Sequence, residues 1–322
     1  MNIKRGQTRA FLLVSLFILL GFLLYYFIPF VQDYFADPIL SRTINYSSYP
    51  VILDEELDTS GIVSYPIGEM QFYQNMRFNH NMISYSFYNC PEEKKLSMEN
   101  AMLKLSDKVP EISFSEVRFG GDINITCDKL KLEPDETYFV AGEGGPTEII
   151  NTSLFSVILN GKIMLLYDTS CNNNIDLHEL LHVFGFRHSD TRRSIMYNFS
   201  SCDQILTQDI ISRLRKLYSV ENYSDLYFSD VQAVKKGRYL DFDVDVRNQG
   251  LVDVRNVIVS IYADGNKIDD LEFGDINFGE GRIIHAKNIK IPSSTEKISF
   301  IIDEDLIIEE LSEKNNFIEL MF

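Results

Sequence analysis

The sequence predicts an α/β (α+β) domain followed by an all-β sandwich, both behind a single N-terminal transmembrane helix. Three observations predict it. Residues 10–31 contain no charged side chain, residues 71–220 interleave alternating strands with amphipathic stretches, and the chain past Asn222 alternates with no helical period. The expected organisation is a cytoplasmic N-terminus at 1–9, an anchor at 10–31, a stalk at 32–70, a first domain at 71–222 and a sandwich at 223–322.

The anchor is read from length and flanking charge. About 20 apolar residues at 1.5 Å each cross a hydrocarbon core of roughly 30 Å. Lys4, Arg5 and Arg9 precede the run, and Asp33 and Asp37 follow it. The positive-inside rule then keeps the N-terminus cytoplasmic and puts both domains outside the cell membrane. A cleaved signal peptide is the alternative, but the apolar run is long and no small-x-small site follows closely.

Composition narrows the partners. Hydrophobic residues make up 45% and charged residues 24%, ordinary for a chain that buries a core. The net charge of −17 speaks against a nucleic-acid partner, because polyanions are held by Lys and Arg. Cys90, Cys127, Cys171 and Cys202 all lie on the expected outer side, where disulfides persist. Four cysteines allow three pairings. Local layout suggests Cys90 with Cys127 and Cys171 with Cys202, and the sequence does not choose among the three.

In the first domain, residues 83–87 alternate as a half-buried strand. Residues 91–109 follow a proline as a helix, with Leu96, Ala101, Leu103 and Leu105 as its apolar stripe. Residues 112–117 and 122–125 alternate again. Residues 156–167 suggest a hairpin-like or irregular strand pair, broken by the turn signal of Asn160 and Gly161. Helices are expected at 176–184 and at 207–217, the latter with Ile210, Ile211, Leu214 and Leu217 on one side. In the sandwich, residues 240–247 alternate apolar with charged, and Val257, Val259 and Ile261 alternate before a turn at Asp264 and Gly265.

The chemistry concentrates in 178–188, which reads HELLHVFGFRH. His178 and His182 are four apart, so on a helix they share a face and can converge on one Zn²⁺. Glu179 lies around the helix from the first ligand, placed to act as a general base without binding metal. Leu177, Leu181 and Phe184 form the opposite stripe. Gly185 can end the helix in a left-handed conformation and turn the chain, so that His188 returns as a third ligand. Three protein ligands leave a position open, the mark of a catalytic zinc site. The chain has only five histidines, and three fall in this window.

The extended motif, with Ser194-Ile195-Met196-Tyr197 beyond it, resembles the metzincin zinc proteases, and Ser189 makes it most similar to the matrixin branch. The resemblance covers about 71–220. It implies a twisted mixed sheet with an active-site helix, Met196 in a methionine turn beneath the ligands, and residues 156–167 as the edge strand that receives an extended peptide. Tyr197 directly follows Met196, so it does not match the metzincin tyrosine that adds a metal ligand. No Pro-Arg-Cys-Gly switch is present.

Residues 245–250, 256–259 and 309–316 resemble the cell-adhesion-related (CARDB) domain of prokaryotic surface proteins, an immunoglobulin-like sandwich, over about 226–322. Asp241, Asp243 and Asp245 read as a solvated strand face, because an EF-hand glycine and terminal glutamate are missing. The expected function is a membrane-anchored, extracytoplasmic zinc endopeptidase acting on peptide or protein substrates. The alternative is a surface adhesion or receptor protein that uses the first domain as a non-catalytic scaffold. A surface protein or glycan is the partner expected at the sandwich.

Overall fold

The computed structural model describes residues 70–128, 141–166 and 171–322. The expected anchor at 10–31, and all of the stalk before Met70, lie outside the described residues. Among those residues are thirteen strands and only three helices, so the protein is mostly β. This corrects the expected α/β (α+β) metzincin-like class. No described helix is long and apolar enough to cross a membrane. The physical reason is that period-two alternation runs through both halves of the chain, whereas a 3.6-residue period is confined to three short segments.

The first domain is built on a six-stranded sheet. Its strands are β1 (Met76–Phe78), β2 (Met82–Tyr88), β3 (Ser113–Glu116), β4 (Ile123–Cys127), β5 (Gly142–Asn151) and β6 (Ser156–Leu165). The spatial order is β1-β6-β4-β2-β3, with β5 on the other side of β6. Every pairing is parallel except that of β5 with β6. Parallel strands need covered faces. Here α1 (Glu92–Lys108), the crossover from β2 to β3, and α2 (Asn172–Val183) pack in one core with Ile83, Ile123, Ile125 and Ile163.

Two expectations about these elements change. The buried stripe of α1 is Met98, Ala101, Met102 and Leu105, whereas Leu96 and Leu103 are exposed. Positions 98, 101, 102 and 105 keep the helical spacing better than the leucines do, and methionine fills the core as readily. The pair expected at 156–167 is one continuous strand through Gly161, and it is interior rather than an edge. A Cβ at 161 would overlap Val183 of α2, so this glycine marks a helix lying close on a strand, not a turn. The edge beside the helix belongs to β5.

A third helix, α3 (Gln208–Tyr218), is fastened by the fully buried Arg77 of β1. Its guanidinium donates to the carbonyls of Leu217 and Val220 and lies 4.7 Å from the centroid of the Tyr218 ring. A cation at the carbonyl end of a helix is favourably placed. The disulfides join Cys90 to Cys127 and Cys171 to Cys202.

The sandwich has a four-stranded sheet, β10-β9-β12-β13, and a three-stranded sheet, β11-β8-β7. They comprise β7 (Leu226–Lys236), β8 (Tyr239–Asn248), β9 (Val254–Ala263), β10 (Asn266–Ile276), β11 (Gly281–Lys290), β12 (Lys297–Ile302) and β13 (Phe317–Met321). Leu240, Phe242, Val244 and Val246 of β8 pack with Val257, Val259 and Ile261 of β9, and with Phe300. The acidic row on β8 is paired rather than merely solvated. Asp241 meets Lys236, Asp243 meets His285, and the buried Asp245 takes two hydrogen bonds from Arg247. A third apolar cluster joins the halves, with Phe155 and Val157 against Leu251 and Phe278.

Candidate metal centre

Helix α2 carries His178, Glu179 and His182, with Leu177, Leu180 and Leu181 fully buried on its core side. It ends at Phe184, where Gly185 takes φ +83°. The Gly185 N–H donates to the His182 carbonyl at 2.9 Å, and the Phe186 N–H to the Leu181 carbonyl at 3.1 Å. Those two bonds define a Schellman cap, and the left-handed glycine makes it possible. The chain then runs beside residues 70–72. The Phe72 N–H donates to the Gly185 carbonyl at 2.7 Å, the Arg187 N–H to the Met70 carbonyl at 2.9 Å, and Gln71 Nε2 to the Phe184 carbonyl at 2.9 Å. His188 is thereby turned back over the helix.

The three imidazoles converge through their Nε2 atoms. His178 and His182 are 3.0 Å apart, His178 and His188 3.3 Å, and His182 and His188 3.2 Å. Three nitrogens at 2.0–2.1 Å from a tetrahedral ion would be separated by about 3.3–3.4 Å, so the cluster fits Zn²⁺. The tautomers fit as well. His178 Nδ1 meets the Ile195 carbonyl at 2.7 Å and His182 Nδ1 the Phe186 carbonyl at 2.8 Å. A carbonyl only accepts, so each Nδ1 carries its ring's proton and leaves the Nε2 lone pair free. Burial, the largest cause, holds His182 down to about 4 and lowers His178, which disfavours the charged form of both rings. Among the described residues no fourth His, Cys, Asp or Glu joins the group.

Glu179 is 6% exposed and faces β5. Burial raises its carboxyl to about 7, against the opposing pull of a hydrogen bond from the Gly144 backbone. Gly142 and Gly144 are both glycine for want of space: a Cβ at 142 would lie 2.8 Å from Glu179 Cγ, and one at 144 would overlap the Glu179 backbone. Next to this contact is a cavity of about 450 Å³, lined by Phe72, Tyr73, Gly144, Pro146, Ile149 and Arg187. Arg187 lies over the Phe72 ring, 5.8 Å from its centroid.

Met196 is buried in the turn closed by the Tyr197 N–H on the Ser194 carbonyl at 3.0 Å. The preceding Ile195 carbonyl is the one that holds His178, and the Ser189 N–H donates to the Met196 carbonyl at 2.7 Å. Cys171, at the start of α2, ties to Cys202 beyond this turn, so the disulfide closes the segment that carries all three histidines. Cys90 and Cys127 join the start of α1 to the end of β4, away from the histidines.

The expected site residues thus come together as His178, His182 and His188, with Glu179 alongside and Met196 in the adjoining turn. Sequence reasoning missed β5, Gln71, and the carbonyls that orient the rings. Gly142-x-Gly144-Gly145-Pro146 reads as loop, and its glycines were the signal for close approach to a helix.

Residues 224–319 match the CARDB family, and that part of the chain is a CARDB domain. The CARDB domain of a Pyrococcus furiosus protein, in complex with di-metal ions, is 20% identical over 31% of this chain and 88% of that one, with a TM-score of 0.26. A solution structure of the same domain gives 20%, 31%, 94% and 0.26. A domain of a protein assigned to the cell surface of Methanosarcina acetivorans is 16% identical over 31% of this chain and 90% of that one, at a TM-score of 0.28. No curated protein matches the chain. These findings lend no support to the matrixin resemblance over 71–220.

Proposed function

We propose that the protein is an extracytoplasmic zinc endopeptidase held at the cell membrane, with a matrixin-type motif as its metal site. The observation that carries the reading is the convergence of three Nε2 atoms at 3.0–3.3 Å beside a buried carboxylate that is not itself among the group. The paired cysteines favour an oxidising compartment. The membrane placement rests on the basic and then apolar N-terminal sequence.

His178, His182 and His188 would hold Zn²⁺, which when bound supplies Lewis acidity that activates water and polarises a carbonyl. Glu179 accepts the proton of the attacking water and returns it to the leaving amine. Its raised pKa suits both halves of that transfer, with the Gly144 N–H holding the carboxylate in place. The outer side of β5 has no strand partner among the described residues, so an extended peptide can add there and lie across the histidines.

The presence of the CARDB domain favours a second reading, an adhesion protein with a metal-loaded but inactive first domain. One experiment separates them: zinc content by elemental analysis and cleavage of a flexible peptide, measured on the same samples. Glu179→Ala should keep zinc near one equivalent and lose about 10²–10⁴-fold in turnover. His182→Ala should lose the metal. Absence of any peptidase activity in a zinc-loaded wild-type protein would favour adhesion.

A further inference from the structure

The cavity beside the candidate metal centre has one charged wall. Phe72, Tyr73, Pro146 and Ile149 line it with largely apolar surface, and Arg187 is the only charged residue in its lining. The two carboxylates of β5, Glu143 and Glu148, do not line it, and Glu148 takes a hydrogen bond from Asn160 Nδ2 at 2.8 Å instead. Among the described residues no Asp or Glu forms an ion pair with Arg187, which is exposed.

The guanidinium is nevertheless held in place. Its Nη2 donates to the Phe72 carbonyl at 3.4 Å, and its Cζ lies 5.8 Å from the Phe72 ring centroid. Stacking on an aromatic ring orders an arginine while leaving most of its donor fork open to a carboxylate. The walls also touch the candidate centre. The Phe72 ring is 6.4 Å from the His182 ring at an interplanar angle of 19°, Gly144 lies against Glu179, and Arg187 directly precedes His188. At about 3.3 Å per residue, a peptide paired to β5 places a side chain in this cavity within a few residues of its scissile bond.

We propose that the cavity is a specificity pocket in which Arg187 selects a carboxylate side chain of the substrate, glutamate in preference to aspartate. This selection presupposes the peptidase reading above and gives it a substrate class, acidic peptides. A glutamate packs its methylenes on Phe72 and Ile149 while its carboxylate meets the guanidinium in a charge-assisted pair. Aspartate is a methylene shorter and reaches the same cation less well. A purely apolar side chain also fits the walls, but it strips water from Arg187 without offering an anion, which costs free energy. The chain's net charge of −17 repels acidic peptides at long range, so a preference for glutamate has to come from contact with this one cation.

Fluorogenic peptides blocked at both ends, with one position at a time changed from Gln to Glu in a flexible host sequence, test this on the zinc-loaded full chain. At one position near the cut, kcat/KM for Glu should exceed that for Gln by about tenfold. Arg187→Gln should equalise the two or favour Gln, and Arg187→Lys should keep part of the preference. General damage next to His188 slows both peptides alike and cancels in the ratio. Equal rates for wild type at every position, or a preference that survives Arg187→Gln, overturns the pocket while leaving the peptidase intact. A wild type that cuts neither peptide sinks the peptidase reading instead. Fluorescence anisotropy of the same peptides, labelled, on the same zinc-loaded protein then decides. Tighter binding of the Glu peptide by about tenfold, lost in Arg187→Gln, upholds the pocket, and equal affinities or no binding overturn it.

Discussion

Gly144 of β5 lies directly against the backbone of Glu179, with no room between them for a methyl group. The candidate base is therefore held from two sides, by its own helix and by a strand packed on the helix face. Gly144→Ala should force β5 away from α2. A loss of about 1–3 kcal/mol is expected from such overpacking. Peptide cleavage should fall at least about tenfold while zinc stays bound, because the substitution removes no metal ligand. Wild-type turnover in Gly144→Ala, measured with the metal content, would show that the contact does not position Glu179.

The disulfide between Cys171 and Cys202 spans a sequence separation of 31 residues. Closing a loop of that size contributes about 3–4 kcal/mol in the chain-entropy model. A double serine variant should unfold at correspondingly lower denaturant and release zinc faster to a chelator, since the loop carrying His188 is then tied at fewer points. The analogous change at Cys90 and Cys127 should lower stability without altering zinc release. Equal release rates in the two variants would contradict the assignment.

Asp122 supplies a pH test away from the histidine cluster. Burial pushes its carboxyl up, but hydrogen bonds from Ser84 Oγ and N–H, with a further one from His80, outweigh this and leave it below the usual value. A depressed carboxyl stabilises the fold above its unfolded pKa, and that contribution disappears as pH falls through the folded value. Asp122→Ala should cost about 1–3 kcal/mol at pH 7. The gap from wild type should narrow below about pH 4, where an unperturbed aspartate protonates. Denaturant melts at several pH values give both numbers.

Leu251 is fully buried between the two halves, against Phe155 and Val157. Leu251→Ala in the full chain should cost about 2–5 kcal/mol by leaving a cavity. A fragment that stops before the sandwich exposes Phe155, Val157 and Val220 together, and should aggregate at concentrations where the full chain stays monomeric. Light scattering on the two proteins decides it. A monodisperse fragment would mean that the cluster adds little to solubility.

The histidine cluster was the most legible part of the chain because its geometry is local. His178 and His182 need only a helix, and Gly185 only a left-handed turn, both written in consecutive residues. The sandwich was legible for a related reason, since strict alternation at 240–247 admits few other structures. The buried face of α1 was misjudged where local signals compete: leucines 96 and 103 drew the stripe away from Met98 and Met102. Gly161 was misread because a glycine that admits a neighbouring helix looks, in sequence, like one that makes a turn, and β5, with its glycines, went unassigned. The carbonyls of Ile195 and Phe186 carry no side-chain signature, so the orientation of the rings was not readable at all.

The free side of β5 also bears on self-association. An unpaired strand edge invites a second copy to add in register, the first step towards sheet-to-sheet aggregation. In β5 that edge contains Gly142, Gly144, Gly145 and Pro146, and its register with β6 breaks between Pro146 and Ile149. Proline offers no N–H to an incoming strand, and the register break interrupts a continuous ladder. A single short segment in passage could still pair with the stretch before the proline, whereas two β5 edges could not zip together along their length. The residues that look least like a strand in the sequence thus let the edge stay open without becoming a seed for fibrils.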